Sequence, residues 1–241
     1  MIDIHSHIIY DIDDGAESIE ESVRLCRQAM ENGFDGIVAT PHFTDYRNIE
    51  GFVLERDSKL DLLRERLSEE QIDITLYSGA ELFLSRGIFT AGDLDELTIN
   101  NSRYMLCEFP LGPFNVEEGL QAITELTYRG YTPIVAHPER YYEIRRNFGI
   151  IERLLDRGVV FQVNVDSLAG NIDLEAQEIA VQLIKDGDAR FIASDAHDIY
   201  RRNMDFSKKF STVPPEISEE DLITCFQTSP DAVINDEDIF N

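Results

Sequence analysis

Gly130-Tyr131-Thr132-Pro133-Ile134-Val135-Ala136-His137-Pro138-Glu139-Arg140 holds one structural unit in a single short stretch. A glycine closes the preceding helix, residues 133–136 read as a buried strand, and a histidine and an arginine follow at the strand's end. Outward from here the same order recurs: Gly158 precedes a strand at 159–163 and Gly187 one at 190–193. Further strand runs fall at 2–5, 36–39, 74–78 and 103–108, seven in all. Between them lie amphipathic stretches such as 18–32, with Ile19, Val23, Cys26 and Met30 on one face and Gly33 just past the end. Helix, glycine, buried strand, repeated, indicates βα units around a parallel sheet.

The polar residues separate a closed barrel from an open doubly wound sheet. His5/His7, His42, Glu81, Glu108, His137 and Asp195/His197 each fall at or just after the C-terminal end of a different strand. An open sheet gathers ligands at one switch point, whereas a barrel brings every strand end to one rim. Six contributing strands favour the barrel. Without a proline- or serine-rich linker or a low-complexity tract, one domain over residues 1–241 is expected, its tail beyond Phe210 adding a last helical turn or two after Pro214-Pro215.

Composition narrows the partners. With 47 Asp+Glu against 21 Lys+Arg the formal charge is -26, which argues against nucleic acid and against an anionic membrane surface. Cys26, Cys107 and Cys225 form neither an even disulfide framework nor a C-x-x-C pair, which fits a reducing cytoplasm. The start Met1-Ile2-Asp3-Ile4-His5 does not read as an export signal, and membrane insertion is not expected.

All five histidines sit in short motifs that also hold carboxylates or stand near them, with Asp195-Ala196-His197 the densest. A lone histidine at a strand end is more often a hydrogen-bonded structural residue. Five together with Glu81, Glu108 and Asp195 are better read as a polynuclear metal site, because imidazole and carboxylate suit zinc, manganese or iron. Two or three divalent ions about 3.5–4 Å apart share a bridging hydroxide that is nucleophilic near neutral pH, so hydrolysis is the expected chemistry. Arg140, three residues after His137, and Arg201 with Arg202, shortly after His197, point to phosphate as the group attacked. No cysteine has an arginine six positions on, which removes a phosphocysteine mechanism. Asp11-Ile12-Asp13-Asp14-Gly15 matches neither an aspartyl-phosphate motif nor a calcium loop; it reads as a βα loop adding a ligand, Asp14 in preference to Asp13.

Taken in order, Asp3-Ile4-His5-Ser6-His7, Asp13-Asp14-Gly15, Glu20-Glu21-Ser22, Gly79-Ala80-Glu81, Glu108-Phe109, Ala136-His137-Pro138-Glu139-Arg140-Tyr141 and Ser194-Asp195-Ala196-His197 resemble the PHP (polymerase and histidinol phosphatase) superfamily, and within it the CpsB/CapC-type bacterial tyrosine-protein phosphatases. The resemblance runs from Met1 to about Arg202. It implies an α/β fold, a distorted (β/α)7 TIM-like barrel, with three metal ions, manganese before zinc, iron, cobalt or magnesium. One ion would be held by His5, His7, Glu81 and Asp195, a second by Glu81, Glu108 and His137, and a third by Asp14, His42 and His197. Arg140 and Arg202 would hold the substrate phosphate. Relatives acting on small phosphate esters often carry histidine where Glu108 stands, which supports the tyrosine-phosphatase branch. Asn203-Met204 replaces an expected double proline, which leaves the choice between Arg201 and Arg202 open.

The function expected is therefore metal-dependent hydrolysis of phosphotyrosine on a protein, by the resemblance a bacterial tyrosine autokinase controlling capsule or exopolysaccharide synthesis, with recruitment to the inner face of the membrane through that partner. The alternative is a phosphatase of a small monoester such as histidinol phosphate. A metal-stabilised, non-enzymatic binding subunit is the third reading, and it leaves the arginines beside the ions without a purpose. Helix 18–30 is a candidate for self-association, although packing on its own barrel explains the same pattern.

Overall fold

The computed structural model describes residues 1–240. Nine strand segments occupy seven positions: β1 (Ile2–Ser6), β2 (Gly36–Ala39), β3 (His42–Phe43), β4 (Thr75–Ser78), β5 (Glu81–Phe83), β6 (Tyr104–Glu108), β7 (Thr132–Ala136), β8 (Val160–Asn164) and β9 (Ala189–Ala193). β2 and β3 share one position, broken at Thr40-Pro41 where proline has no N–H to give the ladder, and β4 and β5 share the next, broken at Gly79-Ala80. Every pairing is parallel, running β1 to β2 to β4, then β3 to β5 and on through β6, β7 and β8 to β9. The ring returns to its start through a parallel bridge between Ser6 and Ala196, where His7 N donates to Ala196 O at 2.8 Å and Asp195 N to His5 O at 2.9 Å. The result is a parallel α/β fold with seven strand positions in a barrel-like arrangement, as the resemblance implies.

Three long helices show how the chain turns between strands: α1 (Ile19–Glu31), α2 (Ile49–Glu69) and α3 (Val116–Tyr128). Ser18 caps α1 by accepting from Glu21 N, and Asn115 caps α3 by accepting from Glu117 N and Glu118 N. At the other end of several helices the chain must enter the left-handed region, and Gly130 does so with φ +97°. α1 packs Val23, Leu25, Cys26 and Ala29 onto the barrel, with Ile19 and Met30 at the margin, so its apolar face is occupied by its own fold.

Two apolar layers hold the structure. The outer layer lies between helices and strands and includes Leu25, Leu63, Leu126, Phe161 and Val163. The inner layer fills the lower half of the ring with Ile4, Leu106, Ile134, Val160 and Phe191. Each such side chain contributes roughly 1.5–3 kcal/mol of transfer free energy. Strand alternation sorts residues between layers: Val160 points in, Phe161 out, and Gln162 in again one step nearer the rim. The interior is thus apolar at its base and polar at the C-terminal ends of the strands.

The tail is larger than the one or two helical turns expected. A helical run extends through Glu219–Ile223, Thr224–Thr228 and Ser229–Ile234, opened by a capping box between Ser218 and Asp221. Val233 and Ile239 join the inner layer and stop the base of the ring. The acidic first turn, Glu219-Glu220-Asp221, hides the apolar pattern that follows it.

Candidate metal centre

β1 begins the site. A register shift between Asp3 and Ser6 lets the strand twist as it leaves the ladder, and His5 and His7 bring their Nε2 atoms to 3.2 Å of each other, both rings fully buried. Glu81, from the first position of β5, lies between the histidines. Its Oε2 is 3.2 Å from His5 Nε2, 3.3 Å from His7 Nε2 and 3.1 Å from His42 Nδ1, and its Oε1 is 3.1 Å from His137 Nε2. His42 Nδ1 also faces Glu108 Oε1 at 3.2 Å, and His42 Nε2 faces Asp14 Oδ1 at 3.3 Å. His197 Nε2 meets the same Asp14 oxygen at 3.4 Å. Asp195 Oδ1 stands 3.5 Å from both His5 and His7 Nε2.

All nine metal-ligand candidates from six strand ends therefore meet in one cluster. Three groups have donor atoms close enough to hold an ion: His5, His7 and Glu81; His42, Glu81 and Glu108; and His7, Asp14, His42 and His197. This partition differs from the assignment implied by the resemblance in three places: Asp195 is left out of the first group, His42 replaces His137 beside Glu81 and Glu108, and His7 joins Asp14, His42 and His197. Glu108 is grouped with His42, while His137 reaches only Glu81.

The donor atoms fit cations better than they fit one another. Glu81 Oε2, His42 Nδ1 and His197 Nε2 are buried without a hydrogen-bond partner despite the short distances, since these atoms point toward shared space rather than along donor–acceptor lines. Orphaned polar atoms of this kind are costly unless a ligand satisfies them. Hard carboxylate oxygens mixed with imidazole suit a divalent first-row ion. The charge pattern agrees. Burial lowers the His42 imidazolium, yet the Glu108 and Glu81 carboxylates beside it outweigh that and push its pKa up to about 10. Burial, with the His7 charge added, pushes His197 down to about 2. Burial raises Glu81, but the surrounding histidines, His5 foremost, hold it well below the ordinary carboxylate range.

Two strand ends are bent to deliver their ligands. His137 at φ +36° and Asp195 at φ +51° occupy the left-handed region, at a cost of roughly 1–3 kcal/mol each. Backbone bonds hold both turns: His137 N donates to Gln162 O at 2.7 Å and Asp195 N to His5 O at 2.9 Å.

Several residues orient the cluster in a role that the sequence reading did not assign to them. Asp13 accepts from His7 Nδ1 at 2.7 Å, from His42 N at 2.9 Å and from Gly15 N at 2.9 Å, while Asp14 faces His42 and His197. The paired aspartates thus take different places, Asp13 behind His7 and Asp14 between His42 and His197. Gly15 is required sterically, because a Cβ there would lie 2.2 Å from His7 O. Gln162 and Asn164 reach His5 and Asp195. Their signal in the sequence was two amides alternating with Phe161 and Val163 in a strand otherwise fit for burial.

Both candidate phosphate arginines point at the cluster. Arg140 Nη1 donates to Asp195 Oδ2 at 2.8 Å and Arg202 Nη2 to Asp195 Oδ1 at 2.6 Å. Arg201 instead lines a separate surface cavity of about 410 Å³ with Lys208 and Lys209.

Comparison with known proteins yields a consistent set. The family model described as "Capsular polysaccharide synthesis, CpsB/CapC" matches residues 1–235. CapC of Staphylococcus aureus is 35% identical over 203 residues, covering 84% of this chain and 79% of that one. The tyrosine-protein phosphatase YwqE of Bacillus subtilis is 33% identical over 227 residues, covering 91% and 86%. A crystal structure from work on YwqE and on CpsB of Streptococcus pneumoniae, described as unique metal-dependent tyrosine phosphatases, superimposes with a TM-score of 0.86 at 30% identity, covering 100% of this chain and 96% of that one.

Proposed function

Since the chain belongs to the CpsB/CapC family, we propose that it is a metal-dependent protein-tyrosine phosphatase, acting as one PHP-type domain on a phosphorylated bacterial tyrosine autokinase in capsule or exopolysaccharide synthesis. The observation that carries this reading is the convergence of five histidines and four carboxylates, several with orphaned donor atoms, beneath two arginines. The same partner would bring the protein from the cytoplasm to the inner membrane face; no described helix is long and apolar enough to cross a membrane. Self-association remains part of the proposal only through surfaces other than the apolar face of α1, which packs on the barrel.

His5, His7, Glu81 and Asp195 would hold one ion, Glu81, Glu108 and His42 or His137 a second, and Asp14, His42 and His197 a third, with manganese the expected metal. When bound, such ions supply an activated water at neutral pH and neutralise phosphate charge. The protein does the rest. Arg140 and Arg202 are held pointing inward by Asp195, and a phosphate dianion offers both guanidinium groups competing oxygens in bidentate geometry. They thereby orient the phosphoryl group and balance the charge that grows on its oxygens during transfer. A tyrosine leaves as a phenolate of pKa about 10, so departure needs little help from an acid.

The test compares manganese-loaded protein on a phosphotyrosine peptide and on histidinol phosphate. A much higher kcat/KM for the peptide is expected, with Arg140→Ala and Arg202→Ala lowering kcat by about 10²–10³. Arg201→Ala should stay near wild type. Preference for histidinol phosphate, or full peptide activity in His42→Ala or Arg140→Ala, would overturn the assignment.

A further inference from the structure

Gln162 and Asn164 sit inside the barrel, buried, on the face of β8 opposite Phe161 and Val163. Two primary amides in such a place are costly unless their donors and acceptors are matched in order. They form a line. Gln162 Oε1 lies 2.7 Å from His5 Nδ1, Gln162 Nε2 donates to Asn164 Oδ1 at 2.8 Å, and Asn164 Nδ2 donates to Asp195 Oδ2 at 2.7 Å. Asn164 N donates to the buried Glu139 Oε1 at 3.0 Å, which anchors the end of the strand.

The direction of this line is fixed from one end. Asp195, gripped by Arg140 and Arg202, is a carboxylate and only accepts. Asn164 must therefore turn its NH2 to Asp195, which leaves Oδ1 for Gln162. Gln162 must turn its own NH2 to Asn164, which leaves Oε1 for His5. An oxygen against His5 Nδ1 requires the proton on that nitrogen. Flipping either amide alone would set acceptor against acceptor or donor against donor. In the neutral imidazole this leaves Nε2 as the free nitrogen, 3.2 Å from Glu81 Oε2 and 3.5 Å from Asp195 Oδ1.

We propose that Gln162 and Asn164 are positioning residues that form a one-way amide relay from Asp195 to His5 Nδ1, reserving His5 Nε2 for a divalent cation. This rests on the metal reading given above. The relay joins two members of one ligand group, Asp195 and His5, so the orientation of the carboxylate dictates which imidazole nitrogen is free. Outer partners of this kind typically alter metal affinity by about 10–100-fold.

The test uses the whole chain as wild type, Gln162→Leu and Gln162→Glu. Manganese affinity is measured by competition with a fluorescent chelator, and the ligating nitrogen by long-range proton–nitrogen spectra of zinc-loaded protein carrying ¹⁵N-histidine, with His5 signals identified by their loss in His5→Gln. We expect wild-type His5 to bind through Nε2 with its proton on Nδ1. Gln162→Leu should lose about 10–100-fold in affinity, and Gln162→Glu, which keeps an acceptor against Nδ1 but sets another against Asn164 Oδ1, should recover part of that loss. Binding of His5 through Nδ1, wild-type affinity in Gln162→Leu, or equal losses in both variants would overturn the relay. If circular dichroism finds Gln162→Leu unfolded, the wild-type spectrum and the affinity of Gln162→Glu decide. Wild-type protein that takes up no divalent ion would remove the metal reading and the relay together. Wild-type protein that binds and hydrolyses but ligates through Nδ1 would remove the relay alone.

Discussion

His42 faces both ways: one ring nitrogen lies against Glu81 and Glu108, the other against Asp14. Those carboxylates raise its pKa from 6.5 to about 10 in the protein without ions. A folded-state pKa above the unfolded one means that proton binding stabilises the fold fully below pH 6.5, and that this contribution fades as pH rises through 10. A cation at the same atoms must displace the proton. Manganese affinity should therefore rise between pH 6 and 8, by up to about tenfold per unit for each proton released. Calorimetry in buffers of different ionisation enthalpy would count those protons, and His42→Gln should release fewer. In chelated protein the melting temperature should fall from pH 7 to 10, with a smaller fall in His42→Gln; an equal fall would assign the effect elsewhere. At this scale the sequence was legible for the side chains that cluster and opaque for their supports. Histidine and glutamate at strand ends stand out by type, whereas Asp13, Gln162 and Asn164 are ordinary residues whose roles depend on which atom they face.

The strands and their glycine stops were readable because each rests on local physics: an apolar run long enough for a buried strand, preceded by a residue free to adopt positive φ. β3 and β5 were not, since runs of two and three residues carry no periodicity. α1 was readable from both ends, and its start makes a separate prediction. Ser18→Ala removes the acceptor for Glu21 N and should lower stability by about 1 kcal/mol in a denaturant titration. Ser18→Asp should restore it. Activity should be unchanged in both, because the cap lies on the helix rather than among the ligands.

Across the whole molecule, the interior of the ring is graded, apolar where Ile134 and Phe191 meet and ionisable where Glu81 and Asp195 meet. The sequence disclosed this gradient only through the assumption of a closed barrel, which the Ser6–Ala196 bridge completes. Crowding four carboxylates with five histidines makes the upper half dependent on cations. At a free ion concentration of about 100 Kd, linkage adds about 2.7 kcal/mol, or roughly 5–10 °C in melting temperature for a domain of this size. Chelation should lower the melting temperature by that amount and manganese should restore it; a melting curve indifferent to chelator would contradict the dependence.

The stopper formed by Val233 and Ile239 has a bearing on biosynthesis. Ile2 and Ile4 lie in the first strand, far upstream of the side chains that cover them, and so leave the ribosome long before their cover. The nascent chain must keep those positions shielded by chaperones or transient collapse until the helical run from Glu219 emerges. Maturation of the cluster has the same long wait: His5 and His7 cannot be locked beside Asp195 until all of the chain between them has left the ribosome.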